Sequence, residues 1–308
     1  MAIHNKSHFN SALISINKVN KEKIDDKKDI NIMPSKSIQL LMIKDCLEGL
    51  KLLPDKSIQL ICIDPPYNLD LEDWDTYDNY MDWCSKWLEE CWRILKDDGN
   101  LIIFGGTQFR NKRSGDLTEI IYHCRHNTQW KLVNTIVWYY KNGMSAQRYF
   151  ANRHEEIVWL TKTDKYYFNL DEVRVPYNDE DLKKALKDKR LNPENVKKGK
   201  NPTNVWEIGR LNGNSLERVG HPTQKPLELI RRIVKGLSSP NSVVLDFFAG
   251  SGTTGRVCIE EGRHCILIDK NKTTKQYFDK HLKNMKQTPK DRPYSLTKSI
   301  EEFWTLIN

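Results

Sequence analysis

Residues 243–269 read VVLDFFAGSGTTGRVCIEEGRHCILID, and their order decides the fold. Val243 to Asp246 is a short apolar run of strand length. The turn after it, Asp246, Phe247, Phe248, Ala249, Gly250, Ser251, Gly252, Thr253 and Thr254, continues to Gly255 and so contains a formal GxGxxG. Glycine there removes the Cβ that would hold a ligand away from the backbone, and the helix expected near Thr254 to Glu261 presents free N–H groups. Cys265 to Asp269 is a second strand. Its terminal carboxylate, followed by Lys270, is placed to accept hydrogen bonds from the ribose hydroxyls of an adenosine cofactor. A tight turn alone would explain the glycines but not an acid at the end of each strand. The motif predicts a Rossmann-like α/β sheet, yet it stands late in the chain. A nicotinamide enzyme needs a second mononucleotide half after it, so that reading is set aside.

A second strand-to-turn junction lies upstream, at residues 59–68, QLICIDPPYN. Gln59 to Ile63 predicts a buried strand, and Asp64, Pro65, Pro66, Tyr67 and Asn68 stand where doubly wound sheets place their ligands. Two prolines fix the backbone and remove two N–H donors. That leaves the Asp64 carboxylate and the Pro65 carbonyl as acceptors without competing donors. An exocyclic amino group could donate to both, which concentrates electron density on its nitrogen and aims the lone pair at an electrophilic methyl. Tyr67 could stack on the ring that carries the amino group.

The alternation of apolar runs and helical patterns continues on both sides. Tyr80 to Leu95 predicts a helix with Trp83, Trp87, Cys91 and Leu95 facing the core, and Asn100 to Phe104 the next strand. Val133 to Tyr140 and Glu156 to Leu160 predict strands that pair as neighbours at the far edge. Pro226 to Leu237 predicts a helix burying Ile230, Ile233, Val234 and Leu237. Together these predict a doubly wound mixed sheet. Residues 1–36 are polar and lysine-rich and read as a flexible basic arm. Residues 37–165 hold the DPPY half and 221–308 the glycine-turn half. Between them, 166–220 read as an insertion with few core residues and a basic run at Lys183, Lys184, Lys187, Lys189 and Arg190.

Composition narrows the class further. The net charge of +8 favours a polyanionic partner, although a charge run is as often a solvated face. No apolar run approaches the roughly 20 residues a bilayer span needs, and the N-terminus has no secretory pattern, so a cytoplasmic location is expected. The seven cysteines contain no CxxC pair, as expected for reduced thiols. His123, Cys124 and His126 lack the second distant pair of a zinc site, and no metal is expected.

The Asp64–Asn68 and Asp246–Thr254 strings resemble motifs IV and I of the amino-group DNA methyltransferases. Their order, catalytic string first, resembles the β group, in which the target-recognition segment lies between the two halves. His221, Pro222, Thr223, Gln224, Lys225 and Pro226 resemble motif X, which closes over the methionine end of S-adenosylmethionine. Asn152, Arg153, His154, Glu155 and Glu156 resemble motif VIII, on the wall of the target-base pocket. Asp45 and Cys46 sit where related enzymes contact the cofactor adenine. Phe247 departs from the proline common in relatives, and can still cover the cofactor.

The resemblance implies direct methyl transfer from S-adenosylmethionine to the exocyclic amino group of a base flipped from duplex DNA. Asp64, Pro65, Pro66 and Tyr67 would form the catalytic turn, and Asp64 would also touch the cofactor. No cysteine follows a proline, as the ring-carbon enzymes require. Asp before Pro-Pro-Tyr points to the 6-amino group of adenine; the 4-amino group of cytosine, a structured RNA and a catalytically dead regulatory subunit stay open. Arg210, Asn212, Asn214 and Lys200 are candidates for base-edge readout. A homodimer and a separately encoded restriction endonuclease are the partners the resemblance implies.

Overall fold

The computed structural model describes residues 36–68, 77–106, 116–143, 145–285 and 293–308. The expected arm falls outside them except for Lys36. Nine strands form one sheet: β1 (Ser37–Ile43), β2 (Ile58–Ile63), β3 (Leu95–Gly105), β4 (Lys131–Tyr139), β5 (His154–Thr161), β6 (Val205–Glu207), β7 (Val243–Asp246), β8 (His264–Asp269) and β9 (Tyr294–Thr297). Their spatial order is β6-β4-β5-β3-β2-β7-β8-β1-β9. Only β5 runs antiparallel to its neighbours, β3 and β4. The mixed, doubly wound sheet expected from the sequence is therefore present.

Alternation along the strands explains why both faces are covered. Ile61 and Ile63 point into one core, which they share with α1 (Cys46–Leu50), α2 (Tyr80–Ile94), α3 (Leu117–Asn127) and α9 (Ile300–Ile307). Leu60 and Cys62 point into the other, packed against α6 (Leu227–Leu237), α7 (Thr253–Glu261) and α8 (Thr273–Asn284). Helix α2 buries Tyr80, Cys84, Trp87, Leu88, Cys91 and Ile94, each large apolar group stabilising the fold by about 1.5–3 kcal/mol. The Asn79 side chain caps it by accepting from the Asp82 amide, and Leu95 passes directly into β3. The strand thus starts earlier than Asn100.

Chain direction fixes the site. From β2 the chain crosses to β3 on one side, and from β7 to β8 on the other, while β2 and β7 themselves pair in parallel, Leu60 beside Val244. The crevice at such a reversal is where open α/β sheets bind ligands. The DPPY turn leaves β2 and the glycine turn leaves β7, so the two strings meet side by side.

Three features depart from the sequence reading. Strand β1 was not expected; it lies between β8 and β9 and carries Asp45 to the same end of the sheet as Asp269. The β4–β5 pair forms, but β6 lies outside β4 and takes the edge. The segment 166–220 does supply core residues: Val173, Val196, Trp206, Ile208 and Val219 are buried, and β6 joins the sheet. Its α4 (Asp179–Lys187) buries nothing, in keeping with a solvated charged face, and α5 (Pro193–Lys197) buries only Val196. Among the described residues no helix is long and apolar enough to cross a membrane, and no metal-holding cluster occurs.

Candidate active site

Asp64 stands at the boundary of two adjoining cavities. Its Oδ1 accepts a hydrogen bond from the Tyr67 hydroxyl at 2.6 Å, and its Oδ2 accepts one from Lys225 Nζ at 2.6 Å. The expectation of acceptors without competing donors is thereby corrected. Both carboxylate oxygens already hold a donor, one local and one from the loop before α6. The Pro66 carbonyl accepts from the Tyr80 hydroxyl at 2.8 Å, which ties the turn to the start of α2. Asn68 ends the turn at φ 55°, a left-handed conformation asparagine tolerates. Its side chain donates to the Tyr77 carbonyl at 3.1 Å and accepts from the Tyr77 amide at 2.8 Å, fixing where the chain re-enters. Burial and the Asp64 charge push the Tyr67 phenol well above its ordinary pKa, so it remains a neutral donor.

The first cavity lies between the two strand-end turns. Its walls include Asp45, Cys46, Asp64, Thr223, Lys225 and Asp246, then Phe247 to Ser251, Thr253, Thr254, Asp269 and Lys270. Asp45 caps α1 by accepting from the Leu47 and Glu48 amides. Asp269 Oδ2 accepts from the Gly250 amide at 2.7 Å and Oδ1 from the Asn271 amide at 2.8 Å, which orients the acid and leaves lone pairs for hydroxyl donors. Asp246 accepts from the Thr254 hydroxyl at 2.6 Å and the Phe248 amide at 3.1 Å, so it braces the turn from beneath. Burial outweighs these bonds and raises its pKa to about 7. Gly250 adopts φ +48°, and a Cβ there would stand 3.2 Å from His221 Nε2. The missing Cβ is what lets the His221 ring pack against the turn. Carboxylates at one end, a glycine turn in the middle and aromatic walls fit the adenosine and amino-acid parts of the expected cofactor.

The second cavity opens on the other side of Asp64. It is lined by Pro65, Pro66, Tyr67, Trp138, Asn142, Gly143, Glu155, Arg210, Asn212 and Arg218, with Thr223, Gln224 and Lys225 shared or adjoining. Lys225 Nζ lies 3.3 Å from Glu155 Oε2 and faces the rings of Phe104 (5.4 Å), Tyr67 (5.7 Å) and Trp138 (6.0 Å). Burial opposes its charge, but Asp64 and Glu155 outweigh that and hold its pKa above the ordinary lysine value. Arg210 covers the Tyr140 ring at 4.5 Å.

Some residues singled out from the sequence do not reach the first cavity. Gln224 instead bonds the Val219 amide and the Glu217 carbonyl, holding its own loop closed. Pro226 caps α6, and Gly252 caps α7 at φ +78° against Phe278. Asn214 and Lys200 line neither cavity. Conversely, Tyr77, Trp83, Phe104, His221, Asn271 and Thr274 belong to the first wall. The helical spacing that Trp83 shares with Trp87 predicts a core position, and the structure differs. Trp83 is half-buried, stacked on Tyr77 at 4.2 Å and beside Phe248 at 5.6 Å. His221 opens the His221–Pro226 segment that resembles motif X, while nothing in the sequence marks Asn271 and Thr274.

Residues 58–280 match the family model described as DNA methylase. The chain is 35% identical over 241 residues to the type II methyltransferase M.HpaI of Haemophilus parainfluenzae, covering 76% of this chain and 71% of that protein. It is 36% identical over 236 residues to the DNA adenine methyltransferase YhdJ of Escherichia coli K12, covering 74% and 76%. Among solved structures, the PvuII DNA methyltransferase, named as cytosine-N4-specific, superposes with a TM-score of 0.62 at 18% identity, covering 90% of this chain and 94% of that one. That likeness is one of fold.

Proposed function

The chain belongs to the DNA methylase family, in the β group of amino-group methyltransferases, and from that premise we propose that it methylates the 6-amino group of adenine at a specific site in duplex DNA. It is an S-adenosylmethionine-dependent DNA amino-methyltransferase. The observation that carries the methyl-transfer reading is the place of Asp64: one carboxylate walls both the cavity of the glycine turn and the cavity beside Tyr67.

S-adenosylmethionine supplies a methyl group on a positively charged sulfur. Asp269 and Asp45 would hold its adenosine part, and the turn from Phe247 to Ser251, with Thr223, its amino-acid part. Asp64 and the Pro65 carbonyl would accept the two amino protons of the target base, turning the nitrogen lone pair toward the first cavity. The Tyr67 hydroxyl, fixed on Asp64, sets its ring as a wall for that base. Bringing the base there requires rotating it out of the duplex, at a cost on the order of a few kcal/mol that stacking and phosphate contacts would offset. A thiolate route is disfavoured by the chain's own residues. Cys62, on the first wall, has its pKa pushed well above the ordinary value by burial, and that of Cys46 rises to about 12.

Adenine is favoured by Asp64 before Pro-Pro-Tyr and by the likeness to YhdJ. The likeness to M.HpaI favours a restriction-modification setting in the cytoplasm, beside a separately encoded endonuclease, and a homodimer fits the same family. The test is incubation of the protein with mixed-sequence duplex DNA and methyl-labelled S-adenosylmethionine, followed by nucleoside mass analysis. Label in 6-methylaminopurine is expected. Label in 4-methylaminocytosine would change the base but keep the chemistry, and label in no nucleoside would overturn the reading.

A further inference from the structure

The charges of the three side chains where the two cavities meet do not cancel among themselves. Lys225 Nζ pairs with Asp64 at 2.6 Å and with Glu155 at 3.3 Å, the lysine side chain being 10% exposed and the carboxylates 24% and 21%. Glu155 Oε2 is buried and makes no further hydrogen bond among the described residues. Within this cluster one ammonium between two carboxylates leaves a single negative charge in excess, with Arg210 and Arg218 further along the wall of the second cavity. Holding a second carboxylate beside Asp64 in a site only partly open to solvent costs stability, and a neutral glutamine at 155 could reach the ammonium at less cost. A purely structural anchor for Lys225 does not account for the excess charge.

The reaction gives it a use. During transfer the carbon–sulfur bond breaks with its electron pair left on sulfur, and the carbon–nitrogen bond forms. The positive charge moves from sulfur to the amino nitrogen, next to Asp64, until that nitrogen releases a proton past Asp64 to solvent. A fixed negative charge at Asp64 is therefore stronger in effect in the transition state than in the ground state. Lys225 alone would cancel it.

We infer that Glu155 is a positioning residue acting through Lys225: the ammonium fixes the Asp64 carboxylate in place, and Glu155 neutralises the ammonium, so that the group facing the target nitrogen keeps one net negative charge. The inference rests on the methyl-transfer reading of the site. The two carboxylates together also keep Lys225 charged against its burial.

Two measurements on the full-length protein test it. Without DNA, calorimetry compares S-adenosylmethionine with S-adenosylhomocysteine, which lacks the positive charge. Glu155→Gln is expected to lower the preference for the charged ligand several-fold and to leave affinity for the neutral one unchanged. With duplex DNA, Glu155→Gln is expected to lower kcat roughly tenfold or more, with KM for DNA little altered. The Glu155→Gln, Lys225→Met double variant again carries one net negative charge. Its loss should therefore be smaller than the product of the two single losses by about tenfold. Should Lys225→Met fail to fold, Glu155→Asp, which keeps the charge, is expected to retain more turnover than Glu155→Gln. Multiplying losses, equal losses in Asp and Gln, or an unchanged ligand preference would each overturn the inference. A wild-type protein that labels no nucleic acid, yet loses its preference for the charged ligand on Glu155→Gln, would sink the methyl-transfer reading and leave the charge balance standing.

Discussion

The Gly250 amide donates to Asp269 Oδ2 at 2.7 Å, so the residue that ends β8 also pins the turn that leaves β7. Removing that acid acts twice, on the ligand hydroxyls it would accept and on the turn it holds. Asp269→Ala is expected to weaken S-adenosylmethionine binding by roughly 10- to 100-fold, about 1.4–2.8 kcal/mol, as read by calorimetry. An affinity within twofold of wild type would remove Asp269 from the cofactor site.

How much of this site was legible in the sequence depends on the distance between partners. The strand-end acids and the glycine turn are local, and residues 59–68 and 243–269 each spell a strand followed by its turn. Their meeting follows from the crossing rule of parallel sheets. Lys225 could be placed in a loop near the cofactor, but its pairing with Asp64 spans 161 positions in the chain and obeys no local period. The same reason hid Trp83, whose helical spacing matches a core residue although the fold turns it to the cavity wall. The sequence does not mark strand β6, because three residues carry no period, nor β1, because its alternation is faint.

Asp64→Asn tests the role proposed for the Asp64 carboxylate with the least change of shape. The amide can still accept at one oxygen but carries no charge. Turnover on duplex DNA is expected to fall by at least about 100-fold, while S-adenosylmethionine affinity stays within a few-fold. Near-normal turnover would show that the carboxylate does not act on the target amino group.

Gly252→Ala addresses the turn rather than the ligand. At φ +78° an alanine is strained, and its Cβ would meet Phe278 at 2.9 Å. A loss of about 1–3 kcal/mol of stability follows, seen as a melting temperature lowered by several degrees. An unchanged melting temperature would mean that the turn relaxes freely.

His281 is buried, its Nε2 lies 3.4 Å from the Thr253 hydroxyl, and burial lowers its pKa from 6.5 to about 3. The folded state therefore binds fewer protons than the unfolded one between those values. The neutral ring contributes stability above pH 6.5, and that contribution is lost as pH falls toward 3. His281→Gln removes the titration. Thermal melts from pH 7.5 to 5 are expected to show wild type losing stability faster than the variant on acidification, and parallel curves would refute the assignment.

Arg210 is exposed at the rim of the second cavity, where its guanidinium lies over Tyr140 and the Asn142 side chain donates to its carbonyl at 3.2 Å. The packing below fixes the backbone, so the charged end is presented to whatever docks there. If that partner is a duplex, each phosphate neutralised releases condensed counterions, and log affinity falls linearly with log salt with a slope near −0.9 per contact. Arg210→Ala is then expected to weaken DNA binding. If Arg210 meets a phosphate, the slope becomes shallower by about one across all sequences; if it reads a base edge, the slope hardly moves and discrimination between sites drops instead. Fluorescence anisotropy on cognate and unrelated duplexes across a salt series separates the two. A variant with wild-type affinity and slope on both would place the DNA away from this rim.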